Sequence, residues 1–270
     1  RPPSNPYISG DTFRKLANHI FDETKKLDPK KVKENDLIFV KTDMIENFFI
    51  NIDPFINNKY LLITHNSDAE VGDHELKFFN ENIIFWFAQN LQIPNSNKIS
   101  VLPIGLENLR YQMNGVLNDF KTKVPVNKES KILLSFNVEN NYKERSEIYD
   151  LFKQNKLVAY KTLLNHKAYI ETLKQFKFNL CPFGNGSDTH RIWESLMVET
   201  IPVMRRTRFT TNLKSLKIPI LIVDNWEQLN NYSEDDLSKF YNNETNHKNF
   251  HEILKLDHWK NLIHMKKASK

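Results

Sequence analysis

The feature that most constrains the fold is a series of short apolar runs separated by connections of crossover length. In the first half of the chain these runs cover residues 37–40, 60–63, 83–87 and 99–102. Each run is short and mostly apolar, so each is predicted to be a strand that is covered on both faces. Strands of this kind, alternating with helical or polar connections, form a mainly parallel sheet. The sequence therefore predicts an α/β fold.

The same rhythm restarts after a polar stretch at residues 118–130, which contains Pro125 and is predicted to be an interdomain linker. A helix is predicted near the start, from Asp11 as its cap to Phe21. Beyond the linker we predict strands at 131–136, 157–160, 178–181, 201–204 and 218–223, and helices at 143–153, 166–175, 188–199, 234–241 and 250–264. This organisation predicts two α/β domains, residues 1–122 and 123–248, with a C-terminal helix in 249–270 that packs back across the cleft. Because ligands of open α/β sheets bind beyond the carboxyl ends of strands, we expect the chemistry in the loops there.

Composition narrows the class of protein. The chain has 38 Lys and Arg against 33 Asp and Glu, a net charge of +5, which favours phosphates and leaves peripheral association with an anionic membrane surface open. No nucleic-acid partner is expected, because the sequence lacks a basic helix and any interleaving of aromatic and basic residues. No run approaches the roughly 20 apolar residues of a transmembrane helix. Its one cysteine, Cys181, excludes an internal disulfide and a multi-thiolate metal site.

These features set the expected location. We expect a protein that is soluble as given, in a reducing compartment such as the cytoplasm or a host cytoplasm. An upstream membrane anchor or a Golgi location stays open, and the oligomeric state is not indicated.

Two of the six glycines, Gly184 and Gly186, lie between the strand predicted at 178–181 and the helix predicted at 188–199. A glycine-bearing turn at this place lets the backbone approach a ligand closely, and it directs the free N–H groups of the helix start toward an anion. The turn is therefore a candidate phosphate cradle. The alternative is a plain tight turn that is capped by Ser187 or Asp188, and Thr189 is as plausible a cap as Asp188.

Arg191 and Glu194 follow on the predicted helix, three positions apart and so on one face. A cation in the first turn opposes the positive end of the helix dipole, and an anionic ligand would remove that mismatch. The guanidinium can bind a diphosphate bidentately, while the carboxylate can accept hydrogen bonds from the two ribose hydroxyls. The alternative is an Arg191–Glu194 ion pair on the surface.

This segment resembles the donor-site signature of the exostosin-like glycosyltransferases. The family pattern runs Cys-Pro-Arg-Gly, a spacer, Arg-x-x-Glu-Ala and then Ile-Pro-Val. The corresponding residues here are Cys181-Pro182-Phe183-Gly184, Arg191-Ile192-Trp193-Glu194-Ser195 and Ile201-Pro202-Val203. Phe183 stands where the family often has Arg, which shifts more of the phosphate charge to Arg191 or Arg145.

The resemblance implies a glycosyltransferase-B fold, in which two Rossmann-like domains face a central cleft. It also implies transfer of a sugar from a nucleoside-diphosphate sugar, with a uridine diphosphate sugar as the expected donor, to a hydroxyl of a glycan acceptor. No cofactor beyond this co-substrate is implied, and no metal ligand is predicted, because the sequence has no Asp-x-Asp triplet. The implied donor-site residues are Ser135, Asn137, Arg145, Pro182, Gly184, Gly186, Ser187, Asp188, Thr189, His190, Arg191 and Glu194.

Three alternatives to this function stay open. A fucosyltransferase that uses a guanosine diphosphate sugar has a related pattern. The same scaffold also suits a catalytically silent module that binds nucleotide or carbohydrate. A basic nucleic-acid-binding protein is the third alternative, although no basic helix supports it.

An inverting transfer needs a general base near the acceptor hydroxyl, and the N-terminal domain is expected to supply it across the cleft. The strand predicted at 60–63 leads into a polar cluster at its carboxyl end. Asp68 is the candidate base, with His65 and Glu70 as alternatives. The cluster also fits a simple turn whose acidic residues face water.

Overall fold

The computed structural model describes residues 1–121, 123–162, 165–246 and 250–268 of the chain. Its strands form two five-stranded sheets in which neighbouring strands are parallel. The first sheet contains β1 (His19–Phe21), β2 (Asp36–Lys41), β3 (Tyr60–His65), β4 (Ile83–Ala88) and β5 (Ile99–Val101). The second contains β6 (Glu129–Leu134), β7 (Val158–Tyr160), β8 (Phe176–Leu180), β9 (Ile201–Arg205) and β10 (Leu221–Val223). The predicted fold class, two parallel α/β units, is confirmed.

The first sheet has its strands in chain order, β1-β2-β3-β4-β5. All six residues of the central β3 are buried, and four of the six in β2 are buried as well. A parallel strand that is covered on both faces needs apolar side chains at consecutive positions, which explains why these strands read as continuous runs.

The second sheet has the order β10-β9-β8-β6-β7 and so changes direction once. From β6 the chain adds β7 on one side, and then it crosses to add β8 on the other side. A sheet opens a crevice at such a switch point, beyond the carboxyl ends of the two strands concerned. The segments that follow Leu134 of β6 and Leu180 of β8 therefore enter the same crevice.

Nine α-helices occur in the described part of the chain. They are α1 (Gly10–Leu16), α2 (Ile45–Asn51), α3 (Asp73–Leu76), α4 (Tyr142–Phe152), α5 (His166–Leu173), α6 (His190–Met197), α7 (Arg208–Ser215), α8 (Glu234–Asn246) and α9 (Leu256–Ala268). The helices α4, α5, α6 and α8 lie within two or three residues of their predicted starts. The predictions missed α2, α3 and α7, which are short or carry few apolar residues.

The predicted opening helix is wrong in its second half and in its cap. Ser9 caps α1 by accepting a hydrogen bond from the N–H of Thr12, and the helix ends at Leu16. Residues 19–21 instead form β1, which pairs with residues 38–40 of β2. The apolar spacing of this segment fits a helix, but pairing with β2 adds a strand to the sheet and overrides the local pattern.

The C-terminal tail contacts both halves of the molecule. The N–H of Ile8 donates to the carbonyl of Leu254 (2.9 Å), and the N–H of Leu256 donates to the carbonyl of Pro6 (2.8 Å). Residues 252–254 contact α6 of the second half, whereas α9 packs against β4 of the first. The domain boundaries at 122 and 248 stay predictions. No helix in the described ranges is long and apolar enough to cross a membrane.

Candidate active site

A cavity of about 650 Å³ lies at the switch point of the second sheet, where the first half of the chain closes over it. Residues from the loops after β6 and β8 and from the starts of α5 and α6 form most of its wall. They include Ser135, Phe136, Asn137, Arg145, His166, Tyr169, Gly184, Gly186, Asp188, Thr189, His190, Arg191 and Glu194. The first half contributes Asp68, Ile104 and Asn114. Eleven wall residues of the second half lie outside the Gly184–Glu194 segment, and they meet it in one crevice because β6 and β8 are neighbours.

Arg191 lies in the first turn of α6 and reaches back under the cavity. Its Nη1 donates to the hydroxyl of Tyr169 (2.9 Å) and to the carbonyl of Ser135. The guanidinium also lies over the Tyr169 ring, 4.9 Å from its centroid. All these partners are neutral, so they fix the orientation of the cation without neutralising it.

Arg145 of α4 approaches the cavity from the other side. Its Nε donates to the carbonyl of Phe183 (2.9 Å), and its Nη1 donates to the carbonyl of Asn137 (2.6 Å). Burial and the neighbouring Arg191 lower the pKa of Arg145 to about 10. The Phe136 ring lies near both cations, 5.4 Å from the Arg145 guanidinium and 5.9 Å from that of Arg191. Among the described residues no carboxylate forms an ion pair with either guanidinium.

Glu194 is buried on the same wall, and its partner is not the arginine one turn away. Its Oε1 lies 3.2 Å from Nε2 of His166. The other imidazole nitrogen, Nδ1, lies 3.3 Å from Oδ2 of Asp119. The alternative of an Arg191–Glu194 pair on the surface is therefore wrong, because the two side chains point to different partners inside the fold.

The start of α6 excludes Ser187 and Asp188 as caps and confirms the third candidate. The N-cap is Thr189, and its hydroxyl caps no N–H group. Within the described part of the chain, this Oγ1 is a buried polar atom without a hydrogen-bond partner. Next to it, Nδ1 of His190 donates to the carbonyl of Gly105 (2.8 Å), and His190 lines the cavity.

Ser187 and Asp188, the predicted caps, instead join the two halves of the molecule. The Asp188 carboxylate accepts hydrogen bonds from the N–H of Ile104 (2.7 Å) and from the indole of Trp193 (2.8 Å). The Asp188 N–H donates to the side chain of Asn90 (2.7 Å). Burial raises the pKa of Asp188 to about 7, although both N–H donors favour the charged form.

Gly186 is required by this junction. A Cβ at Gly186 would lie 2.9 Å from Nδ2 of Asn90 and 3.2 Å from the carbonyl oxygen of Asp68. A Cβ at Gly184 would meet Arg145 and Thr189 at 3.3 Å, on the cavity side. Of the two predicted cradle glycines, Gly184 thus faces the part of the cavity wall that carries Arg145 and Arg191, here called the cationic wall. Gly186 allows the two halves to approach each other.

A second cavity of about 400 Å³ lies beside the first and is built mainly by the first half. Its wall includes Lys41, Asp43, Asn66, Ser67, Asn108, Arg110 and Tyr111. Asp68, Ile104 and His190 line both cavities. Asp68 is exposed, and its carboxylate makes no hydrogen bond to the described residues, so it is available to groups in either cavity.

The other two candidate bases are not favoured by their positions. His65 is fully buried and lines neither cavity: Nε2 lies 3.0 Å from the Pro103 carbonyl, and Nδ1 accepts from the N–H of Asn66. Burial lowers the pKa of His65 to about 4. Glu70 also lines neither cavity, because its Oε1 accepts hydrogen bonds from Ser187 (2.8 Å) and Gln92 (2.9 Å) at the junction.

Two further observations complete the site. Pro182 is buried and lies outside the cavity wall, contrary to its predicted donor contact. Cys181 is buried as well, and burial raises its pKa to about 12. No group of three or more His, Cys, Asp or Glu side chains within the described ranges is placed to hold a metal ion.

The structure also adds wall residues that the sequence did not single out, among them Phe136, His166 and Tyr169. Phe136 is the last residue of the strand predicted at 131–136, so its place at a strand carboxyl end was a usable signal. His166 and Tyr169 lie at the start of a predicted helix, and nothing in their spacing indicated which face would meet α6.

Comparison with known proteins fits this geometry. Residues 117–267, more than half of the chain, match the family model described as the RXYLT1 C-terminal domain. The trehalose-6-phosphate synthase OtsA is a similar solved structure, with a TM-score of 0.52 and 9% identity, covering 89% of this chain and 74% of that one. An apo structure of OtsA gives a TM-score of 0.50 with the same identity and coverage. No curated protein sequence is significantly similar to this one.

At such low identity the OtsA structures show the fold alone, which is the glycosyltransferase-B type. The family match covers the whole second half, including the cationic wall, the α6 start and the tail. The chain therefore belongs to the RXYLT1 C-terminal domain family, an exostosin-like family, and is a glycosyltransferase.

Proposed function

We propose that the chain transfers a sugar from a nucleoside-diphosphate sugar, with uridine diphosphate as the leaving group, to a hydroxyl of a glycan acceptor. The observation that carries this proposal is the pair of guanidiniums of Arg145 and Arg191, which flank Phe136 on the cavity wall and bond only to neutral groups. Buried cations are usually paired, because desolvation penalises an isolated charge. A diphosphate in the cavity supplies the missing negative charge.

The start of α6 completes the anion site. Its free N–H groups and the positive end of the helix dipole lie beside the two arginines. The unpartnered Thr189 hydroxyl offers one more donor to a phosphate oxygen. As the bond to the sugar breaks, negative charge grows on the diphosphate, and these fixed donors stabilise it most in the transition state.

Glu194 is the proposed ribose contact. One of its carboxylate oxygens bonds to His166, so the other is free to accept from a ribose hydroxyl. The pentose would then lie on the His166 side of the cavity, with the diphosphate toward Thr189 and the sugar toward Asp68.

The transfer step places the acceptor in the second cavity. The acceptor oxygen attacks the anomeric carbon, the bond from that carbon to the diphosphate oxygen breaks, and the hydroxyl proton moves to the carboxylate of Asp68. Attack from the face opposite the leaving group inverts the anomeric configuration. Asp68 suits this role because it lines both cavities and its carboxylate is not engaged by a described residue.

The test is nucleotide binding without added metal, measured by thermal shift and calorimetry. We expect uridine diphosphate to raise the melting temperature of the wild-type chain. Arg191→Ala should weaken binding by about 10- to 100-fold, because one charge-assisted hydrogen-bonding group contributes roughly 1.5–3 kcal/mol. Arg191→Lys should recover only part of this loss, since an ammonium keeps the charge but not the planar fork.

Arg206→Ala is the matched control. Arg206 is exposed, pairs with Asp224 and lies outside both cavities, so its loss removes one positive charge without changing the proposed site. Equal weakening by Arg206→Ala and Arg191→Ala would mean that only net charge attracts the nucleotide. Guanosine diphosphate in place of uridine diphosphate separates the fucosyltransferase-like alternative, and binding without turnover of any activated sugar supports the silent module.

A further inference from the structure

Glu194 belongs to the resemblance that identifies the donor site, but its two partners, the half-buried His166 and Asp119, do not. His166 is the first residue of α5, Glu194 belongs to α6, and Asp119 lies in a short 3₁₀ turn, Leu117–Phe120, between the two sheets. The imidazole lies between the two carboxylates, 3.2 Å from Glu194 and 3.3 Å from Asp119. His166 and Glu194 line the 650 Å³ cavity, whereas Asp119 does not.

The geometry of the trio sets the charge of the ring. A neutral imidazole has one N–H donor, so it can donate to one carboxylate only and turns a lone pair toward the other. An imidazolium donates to both. With both carboxylates ionised, the two contacts are satisfied together only when His166 is protonated.

The surroundings agree with this assignment. Burial by itself disfavours the charged ring, but Glu194 and Asp119 outweigh burial, and the pKa of His166 is raised above its ordinary 6.5. The other titratable groups close to the ring are Tyr169, whose ring centroid lies 6.2 Å away, and Arg191, which bonds to the Tyr169 hydroxyl. Phe120 packs edge-on against the imidazole and closes the remaining side.

We propose that His166 is a positioning residue for ribose recognition: as an imidazolium held by Asp119, it fixes one oxygen of Glu194 and so aims the other at the ribose hydroxyls. This inference rests on the proposed function, since it assigns a nucleotide to the cavity. It adds a pH dependence, because the charged ring is present below pH 6.5 and is lost as the pH rises through the raised pKa. Donor affinity therefore falls as the pH rises through that pKa.

The experiment measures ribose recognition directly. Uridine diphosphate and its 2′-deoxy analogue differ by one ribose hydroxyl, so the ratio of their dissociation constants reports the contact to Glu194. We expect a ratio of about tenfold or more in the wild-type chain at pH 6.5, the loss of a hydrogen bond to a charged group. Glu194→Gln should bring the ratio close to one. If the chain prefers guanosine nucleotides, the same pair of ribose and deoxyribose ligands serves.

Two isosteric variants separate the two bonds of the ring. His166→Gln keeps an N–H donor near the position of Nε2, so it should retain most of the ratio but make it independent of pH. His166→Asn keeps a donor near Nδ1, toward Asp119, and loses the bond to Glu194, so its ratio should fall to about twofold or less. A merely structural role would change both variants alike and would leave the ratio intact.

Asp119→Asn tests the contact between Asp119 and His166 without changing a residue of the cavity wall. It replaces the His166 variants should these fold poorly. It weakens the charged state of His166, so the pH at which the wild-type ratio declines should move downward. The titration of His166, followed by NMR in the nucleotide-free chain, should move by the same amount. The titration of the nucleotide itself is common to the wild type and Asp119→Asn, so the difference between their two pH profiles removes it.

The outcomes distinguish this inference from the proposed function. Failure of the wild-type chain to bind either nucleotide overturns both. A ribose ratio that Glu194→Gln abolishes but His166→Asn preserves overturns the role of His166 alone. A ratio that declines with pH in the wild type, stays flat in His166→Gln and shifts in Asp119→Asn supports it.

Discussion

The two halves of this glycosyltransferase have the same number of parallel strands but build their cavities in different ways. The second sheet reverses direction between β6 and β8, and one continuous segment, Gly184–Glu194, supplies eight of the 22 residues of its cavity wall. The described strands of the first sheet follow chain order without a reversal, and its smaller cavity is assembled from separated positions such as Lys41, Asp68 and Arg110. A switch point concentrates ligand contacts in one loop and one helix start, and that concentration produces a motif that can be read in sequence.

This contrast suggests a division of labour. The second-half cavity has two guanidiniums, those of Arg145 and Arg191, that bond only to neutral groups, whereas Lys41 and Arg110 of the first-half cavity lie close to carboxylates. Lys41 pairs with Asp43 (2.8 Å), and Arg110 lies 3.3 Å from Asp11. The second half is thus suited to bind an anionic donor, and the first half is suited to hold a polyhydroxyl acceptor and to take up its proton.

The largest effect is expected from Asp68→Asn, which tests the difference between the two halves most directly. Removal of a general base lowers turnover by about 10²- to 10⁴-fold. Nucleotide affinity should not change, because the anion site lies in the other half. The measurement is nucleotide release from a panel of activated sugars, together with calorimetric binding of uridine diphosphate.

Glu70→Gln is the matched control for Asp68→Asn. Glu70 is an exposed carboxylate two positions away that bonds to Ser187 and Gln92 and lines neither cavity. The Glu70→Gln variant should keep most of the turnover. Loss of nucleotide binding in Asp68→Asn would show that the first half contributes to the donor site, and the proposed division of labour would then be wrong.

A second prediction concerns the junction between the halves. The pKa of Asp188 rises from 3.8 to about 7 in the folded chain, so its stabilising contribution is complete below about pH 4 and is lost as the pH rises through 7. Asp188→Asn does not titrate. The unfolding free energy of the wild type minus that of the variant should therefore decrease between pH 4 and pH 7, on the order of a few kcal/mol.

Urea unfolding at several pH values in this range provides the measurement. Asp150→Asn, which removes an exposed carboxylate paired with Lys153, controls for the loss of one acidic group. A constant difference between the wild type and Asp188→Asn across the range would contradict the prediction.

The smallest of the three effects is expected from Gly186→Ala. The new methyl group would lie 2.9 Å from Asn90 and 3.2 Å from the Asp68 carbonyl, so the two halves must move apart slightly. We expect a loss of about 1–3 kcal/mol in unfolding free energy, in the range of an overpacked site. Gly72→Ala is the control, because the nearest atom to its added Cβ is 3.8 Å away. Unchanged stability in Gly186→Ala, measured in the same urea experiment, would mean that the junction tolerates movement.

Much of the fold could be predicted because a buried parallel strand is visible in the sequence as a short run of consecutive apolar residues. Strands β2, β3, β4 and β9 start within one residue of their predicted positions, and all are runs of consecutive apolar side chains. The first strand, β1, could not be predicted, because Ile20 and Phe21 continue the helical spacing of Phe13 and Leu16. Only the pairing with β2 decides between the two readings.

The candidate site divides in the same way. Arg191, Glu194 and Gly184 belong to one continuous motif, and the cavity wall contains all three. Ser187 and Asp188 belong to the same motif, yet their side chains bond across the junction to Glu70 and Ile104. A local pattern gives the position of a side chain along a turn, but it does not identify the residue from a distant part of the chain that the side chain contacts.

The sequence by itself determined the parallel α/β class, the position of the strand-turn-helix segment and the residue types that suit a diphosphate and a ribose. These depend on interactions between near neighbours in the chain, which periodicity and spacing record. Only the tertiary structure decided that Glu194 pairs with His166 instead of Arg191, that Gly186 serves the junction, and that Asp68 lies between the two cavities. Such contacts join residues that are from about thirty to more than a hundred positions apart, and their geometry follows from strand order and from the packing of the two halves.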